Sequence, residues 1–276
     1  MINGNTQIIA HIGYPTHTFK SPMIYNPWFE KAGVNAVVVP MACKSSDYAA
    51  FLRAIFTLGN VRGALITMPH KVLTMDLMGV VSSTARVAGA CNAVRLNERG
   101  QLQGDMFDGE GFVRGLLRKG VTLKGARALV VGSGGVGCAI AASLAASGVA
   151  ELGLFDLNTA ASQGLAARLI SHYPTLMLGT TSNDPAGFDV VVNATPMGMN
   201  EGDAMPMDTS RIASSAFVGE VVMQSDMTAF LQAAKARGCA VQVGTDMLFE
   251  QIPAYLEFFG LPSTTPEELR LLACLS

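Results

Sequence analysis

The apolar run Ala128-Leu129-Val130-Val131 leads straight into Gly132-Ser133-Gly134-Gly135-Val136-Gly137, and a helix-forming stretch of small residues follows from Cys138. Gly132, Gly134 and Gly137 have the spacing G-x-G-x-x-G. In a strand–loop–helix setting the first glycine permits a tight turn and the second lets backbone approach a pyrophosphate. The third lets the helix pack close to the strand, and the free N–H groups of the helix start face the phosphate charge. In a chain with 29 glycines the spacing alone is weak and also fits an ordinary turn. Its context is what counts: a second strand, Glu151–Phe155, follows the helix and ends in Asp156. That carboxylate lies about 20 residues beyond the loop, where a dinucleotide fold puts its ribose ligand. Residues 132–137 with Asp156, Leu157 and Asn158 are therefore read as a nucleotide site.

The rest of the composition agrees with a folded α/β chain. Of 276 residues, 50% are apolar and 14% charged, which suits a large buried core and excludes disorder. A net charge of −2 with no basic stripe argues against nucleic-acid binding. Cys43, Cys91, Cys138, Cys239 and Cys274 are odd in number and lack C-x-x-C spacing. With a polar N-terminus that does not resemble a signal, they read as free thiols of a cytoplasmic protein. His11, His17, His70 and His172 form no metal-ligand cluster with them. The uncharged stretch Ala128–Ala150 is long enough to span a bilayer. Its glycine loop, and its change from strand-like to helix-like residues midway, argue against a membrane span.

Strand and helix signals alternate from the start. Strands are expected at Gln7–Ile12, Asn35–Pro40 and Gly63–Met68, with helices over Met23–Ala32 (capped by Ser21-Pro22) and Asp47–Leu58. Val72–Met78 and Ser83–Val87 are helical candidates, and a hairpin joins Asn92–Arg95 to Leu102–Gly104. A helix opens at Asp108-Gly109 and runs to about Arg118, and Gly120–Gly125 reads as the interdomain connection. Beyond the glycine loop come a helix over Ala160–His172, strands at Met177–Leu178, Asp189–Asn193, Ala216–Val222 and Ala240–Val243, and a helix over Thr228–Arg237. Gly244 is expected to end the last strand, before helices over Met247–Phe259 and Pro266–Leu275. Alternating β and α units imply a parallel, doubly wound sheet with right-handed crossovers.

Two N-terminal stretches are unusual for core structure. Thr67-Met68-Pro69-His70-Lys71 puts a lysine just past a buried strand, and Gly104-Asp105-Met106-Phe107-Asp108-Gly109 puts an acid at a strand-to-helix turn. Lys71 and Asp108 held together can relay a proton at a substrate hydroxyl while hydride leaves its carbon. Taken singly, Lys71 also fits a solvated helix start, Asp108 an N-cap, and His70 a simple flank.

Together the motifs resemble the shikimate/quinate dehydrogenase family along nearly the whole chain. The matching segments are Gly13-x-Pro15 with Lys20-Ser21-Pro22, Thr67-Met68-Pro69-x-Lys71, Gly89-Ala90-Cys91-Asn92, Gly104-Asp105-x-x-Asp108-Gly109 and the glycine loop. Val192-Asn193-Ala194-Thr195-Pro196-Met197-Gly198 and Gly244-x-x-Met247-Leu248-x-x-Gln251 complete the series. The resemblance implies Lys71 as acid–base group with Asp108 as its partner. It implies that Asn92, Thr67 and Gln251 hold ring hydroxyls and that Ser21 contacts a carboxylate. Asn193, Ala194, Thr195 and Met197 would line the cofactor cleft, with Val221 and Gly244 near the nicotinamide. It also implies an N-terminal α/β substrate domain (1–108 with 244–276) and a C-terminal Rossmann-type doubly wound domain (109–243) binding NAD(P).

Departures from the family pattern concentrate in the substrate pocket. Phe19 stands where a serine is usual, Leu65 where an asparagine is usual, and Met106-Phe107 where Asn-Thr is usual; Met223 replaces a common tyrosine. Phe19 and Phe107 are thus candidate substrate-facing residues. Each change removes a hydrogen-bonding group, and a buried polar group left unpaired costs about 1–3 kcal/mol. The expected substrate is a small cyclic hydroxy acid that is less hydroxylated, or larger and more apolar, than shikimate or quinate. Asp156-Leu157-Asn158 replaces the Asn-Arg-Thr of NADP-preferring members, so NAD is expected over NADP. A true shikimate dehydrogenase and a catalytically silent nucleotide sensor are the competing readings. Neither a nucleic-acid nor a membrane partner is expected, and monomer and homodimer both stay open.

Overall fold

The structure is a computed structural model that describes residues 2–180, 182–200 and 202–274. The chain forms two compact units, Met1–Phe107 with Ile252–Ser276, and Asp108–Gln251. The stretch Gly120–Gly125, expected as the connection, lies inside the second unit, and the return crossing falls at Gln251/Ile252 rather than at Gly244.

The first unit contains β1 (Gln7–Gly13), α1 (Ser21–Ala32), β2 (Ala36–Ala42), α2 (Ser45–Ile55), β3 (Val61–Ile66), α3 (Lys71–Met75), β4 (Val80–Val81), α4 (Ser83–Ala88), β5 (Ala93–Leu96) and β6 (Leu102–Asp105). Its sheet has the order β2-β1-β3-β5-β6-β4, parallel for β2, β1 and β3 and antiparallel where β5 meets β3 and β6. β2 continues through Pro40 to Ala42. It is an edge strand, where a missing backbone N–H is tolerated. Ala10, Ile12, Ala64, Ile66 and Val94 turn one sheet face to Tyr48, Leu52 and Ile55 of α2, forming a core cluster. α1 begins at Ser21 itself, so the N-cap is Lys20, one residue before the expected cap, and it makes no side-chain cap hydrogen bond.

The second unit opens with α5 (Asp108–Arg118). It continues through β7 (Arg127–Val131), α6 (Gly135–Ala146), β8 (Glu151–Phe155), α7 (Thr159–His172), β9 (Met177–Gly179), β10 (Val190–Asn193), β11 (Phe217–Glu220), α8 (Ala229–Ala236) and β12 (Ala240–Gln242). Its sheet, β12-β11-β10-β7-β8-β9, is parallel throughout. Numbered from β7, this is the 3-2-1-4-5-6 order of doubly wound dinucleotide folds. Helix α6 is buried from Gly137 to Ala145, as an almost wholly apolar helix must be. Its small residues admit α5 closely: a Cβ on Gly109 would collide with the Ala139 carbonyl.

The last strand ends at Gln242, and Gly244 opens the long helix α9 (Gly244–Phe259) rather than closing the strand. The first half of α9 belongs to the second unit and the rest to the first. α10 (Pro266–Leu272) follows, capped by the Thr265 hydroxyl. Leu275, the expected end of that helix, lies outside the described residues. Ala128–Ala150, long enough to span a bilayer in sequence, is β7, the glycine loop and α6, and no helix among the described residues is long and apolar enough to cross a membrane.

Candidate active site

In the second unit the expected cofactor residues converge at the C-terminal ends of β7, β8, β10 and β11. Gly132 adopts φ +104°, and a Cβ there would lie 2.6 Å from the Ala194 carbonyl oxygen and 3.0 Å from the Thr195 methyl. A Cβ on Gly137 would strike the Gly132 carbonyl, so the third glycine sets how closely α6 meets the loop. Gly134 and Gly135 have no atom within 4 Å of a Cβ position, which leaves an open cradle at the N-terminus of α6. The Ser133 hydroxyl in this loop is buried without a hydrogen-bond partner. Open glycine backbone, a helix start and an unpartnered hydroxyl together fit a dinucleotide pyrophosphate.

A closed network holds the neighbouring loop. The Asn193 Oδ1 accepts from the Thr195 N–H at 3.1 Å and hydroxyl at 2.6 Å, and its Nδ2 donates to the Met197 carbonyl at 3.0 Å. The Ala194 N–H donates to the Val131 carbonyl, and a Cβ on Gly244 would collide with the backbone at Val221–Val222. The sequence reading missed Glu220, which pairs in register with Asn193 and is fully buried. Its Oε2 accepts from the Thr228 hydroxyl at 2.9 Å while Oε1 has no partner. Burial raises its pKa against the opposing hydrogen bonds from Thr228 and Asn193. The signal was present in the sequence: one acid interrupts the apolar run Phe217-Val218-Gly219-Glu220-Val221-Val222.

The first unit gathers a second group. Lys71 begins α3, and its carbonyl accepts from the Cys91 N–H at 2.9 Å. Beneath it, His70 is fully buried, stacked on Tyr48 at 4.1 Å, with Nε2 2.8 Å from the Cys43 carbonyl. His70 is thus a packed anchor for the start of α3. A Cβ on Gly13 would lie 2.5 Å from the Thr67 methyl and 2.8 Å from Phe19, so Thr67 and Phe19 meet over that glycine. Phe19 in turn stacks on His11 at 4.0 Å. Asn92 is buried, and its Oδ1 accepts from the Phe107 N–H at 2.9 Å. Phe107 packs edge-on against Tyr255 and Phe258. Ser21 is the first residue of α1. Leu65 and Met106 are buried and Met223 is half-buried.

Asp108 and Gln251 fall in the second unit. Asp108 is buried at the first residue of α5, and the Gln251 Oε1 is buried without a partner. Among the described residues no group of three or more His, Cys, Asp or Glu is arranged to hold a metal ion. The cysteines are free thiols, all but Cys274 buried.

A family model described as the shikimate dehydrogenase substrate binding domain matches residues 11–94. The curated shikimate dehydrogenase (NADP(+)) of Rubrobacter xylanophilus is 34% identical over 257 residues, spanning 91% of this chain and 89% of that protein. The chain belongs to the shikimate dehydrogenase family. The shikimate dehydrogenase (NADP(+)) of Acidiphilium cryptum is a further relative, 31% identical over 98% of this chain and 96% of its own. The solved quinate dehydrogenase of Corynebacterium glutamicum, in complex with NAD, is 29% identical with a TM-score of 0.86, covering 97% of this chain and 98% of its own. A model described as the ThiF family matches residues 117–169, which span β7, the glycine loop, α6, β8 and most of α7. This is a family of NAD(P)-dependent oxidoreductases.

The expectation of NAD over NADP is overturned by the two curated relatives, both named for NADP(+). The geometry explains why Asp156 misled. Its Oδ2 accepts from the Ser133 N–H at 2.6 Å and its Oδ1 from the Asn158 N–H at 2.8 Å. The carboxylate braces its own loop, and a residue so engaged is no measure of which ribose substituent is accepted. Leu157 beside it is exposed and apolar, and carries no charge for a phosphate.

Proposed function

We propose that the protein is an NAD(P)-dependent dehydrogenase that interconverts a ring hydroxyl and ketone of a shikimate-like cyclic hydroxy acid, with a preference shifted away from shikimate itself. The observation that carries this reading is Lys71 at the head of α3, immediately beyond the Thr67-Met68-Pro69-His70 turn that follows β3. Its positive charge is felt by buried His11. Lys71 is the acid–base group: as ammonium it donates a proton to the substrate oxygen during ketone reduction, and as amine it takes that proton back in the reverse direction. Asp108 is its proposed partner in that transfer. Thr67, Asn92, Ser21 and Gln251 are proposed substrate ligands, with Phe19 and Phe107 supplying apolar surface. The loop 132–137 with Asn193, Ala194, Thr195, Met197, Val221 and Gly244 is proposed to hold the dinucleotide, which when bound supplies or accepts hydride.

The shifted preference rests on Phe19, Leu65 and Met106, apolar residues at positions read as polar in the family. A polyhydroxylated ring facing them loses about 1–3 kcal/mol for each buried group left unpaired. Steady-state turnover of a panel of cyclic hydroxy acids with NAD and with NADP tests the reading. The expected result is a best substrate with fewer hydroxyls, or a larger apolar edge, than shikimate. The names of the curated relatives favour a second reading, a true shikimate dehydrogenase. Shikimate emerging as the best substrate with micromolar KM establishes that reading and overturns the shifted preference.

A further inference from the structure

His11 sits on β1 with Leu65 as its register partner on β3. Strand side chains alternate between faces, so His11, Gly13, Leu65 and Thr67 share one side of this sheet, opposite the face that packs on α2. On that side the Phe19 ring lies on the imidazole, with centroids 4.0 Å apart and planes 24° from parallel. His11 is only 7% exposed, and its Nδ1 is buried with no hydrogen-bond partner. Burial, and then the charge of Lys71, lower its pKa to about 4, so the ring is neutral near pH 7. A proton on Nδ1 would be a buried donor with no acceptor, which disfavours that tautomer and leaves the N–H on Nε2. A neutral imidazole with its donor on Nε2 thus stands close to Lys71, on a face where Leu65 brings no polar atom.

We propose that His11 is a substrate-contacting residue that sets specificity in this chain, its Nε2–H donating to an oxygen of the bound hydroxy acid. This rests on the dehydrogenase reading above. The polar group on this face stands on β1 instead of β3, a displacement of one strand spacing, ~4.8 Å. The favoured substrate therefore carries an acceptor oxygen over β1 and an apolar edge over Leu65, with a flat portion against Phe19. A hydroxy acid whose oxygen falls over Leu65 meets only an isobutyl group there.

The test compares the wild-type protein with His11→Leu, His11→Gln and the double variant His11→Val/Leu65→Asn. All are assayed on the same panel, with thermal melts to check folding. A lost neutral hydrogen bond is expected to raise KM of the best substrate about tenfold in His11→Leu, with kcat changed far less. His11→Gln, whose amide N–H reaches a position close to that of Nε2–H, is expected to recover most of that loss. The double variant, with its polar group back on β3, is expected to raise kcat/KM for shikimate above the wild-type value. Wild-type turnover with unchanged KM in His11→Leu overturns this inference alone. If His11→Leu fails to fold, the double variant decides, and no gain on shikimate overturns the proposal. A wild-type protein that turns over nothing on the panel overturns the dehydrogenase reading and this inference together.

Discussion

The Asp156 carboxylate accepts the Ser133 N–H at 2.6 Å, tying the end of β8 to the glycine loop that follows β7. The same carboxylate accepts the Asn158 N–H, so both its oxygens serve backbone donors. Asp156→Ala therefore loosens the loop as a whole. We expect it to weaken NAD and NADP binding alike, by about tenfold each for a lost charge-assisted bond. Titration of the protein with each dinucleotide measures this, and a loss confined to one cofactor would contradict it.

Replacing the acid–base group has a different signature. Lys71→Ala is expected to lower kcat by ~10²–10⁴, the usual contribution of a positioned general acid or base. Dinucleotide Kd should stay within about twofold, because Lys71 is not among the residues proposed to hold the dinucleotide. Unchanged turnover would remove Lys71 from the mechanism.

The glycines of the loop divide into two kinds. Gly137→Ala drives a methyl into the Gly132 carbonyl, so it should lower Tm by several degrees as well as weaken dinucleotide binding. Gly135→Ala meets nothing within 4 Å, so its Tm should match wild type while dinucleotide affinity falls. Melting curves of the two variants, with and without NADP, separate these outcomes.

Glu220 carries a pH dependence. Its folded pKa is raised by burial, so between the ordinary carboxylate range and that higher value the folded protein holds more protons than the unfolded chain. Stability on account of this group is greatest in acid and falls as pH rises through the folded pKa. Glu220→Gln removes the cost of burying charge and keeps an oxygen for the Thr228 hydroxyl, so its Tm is expected to rise. The gain should be present at pH 8 and shrink towards pH 4.

His11 acts in the opposite sense. With a folded pKa of about 4 against an ordinary value of 6.5, the unfolded chain binds the extra proton between those limits. Its contribution to stability is present above pH 6.5 and lost as pH falls to 4, on the order of 3 kcal/mol in all. Urea unfolding at pH 4.5 and pH 7.5 should show a smaller gap in His11→Leu than in wild type.

Much of the fold was legible because its signals are local. The apolar runs of β1, β3, β7, β8, β10 and β11 were readable, as were the G-x-G-x-x-G turn and the helix from Asp108 to Arg118. The two-residue strand β4 was not, since a pair of valines carries no periodicity and exists only through pairing with β6. Gly244 misled because glycine after a strand usually marks a stop. Here it is required by the nearness of the Val222 carbonyl and starts a helix instead. At the site, motif residues were visible one by one, but His11 and Glu220 were not singled out. Each is one polar residue in a buried strand, and its importance comes from neighbours on other strands: Leu65 and Phe19 for the first, Asn193 and Thr228 for the second. Asp156 shows the converse failure, a residue of the right type at the right spacing whose hydrogen bonds are spent on backbone.

The first unit is built from two separated pieces of chain, and that has a consequence for synthesis. Its late piece supplies the Phe259 ring that fills the hollow at Gly63, the carbonyls of Phe258 and Phe259 that accept from Arg95 and Arg62, and the Glu268 carboxylate that pairs with Lys31 at 3.3 Å. None of these exists while residues 1–107 leave the ribosome, whereas residues 108–251 emerge as one uninterrupted stretch. Domains fold as units during translation, usually the N-terminal one first. Here the part made first is completed last, so the nascent chain carries an unfinished first sheet until the second half of α9 and α10 follow residue 251.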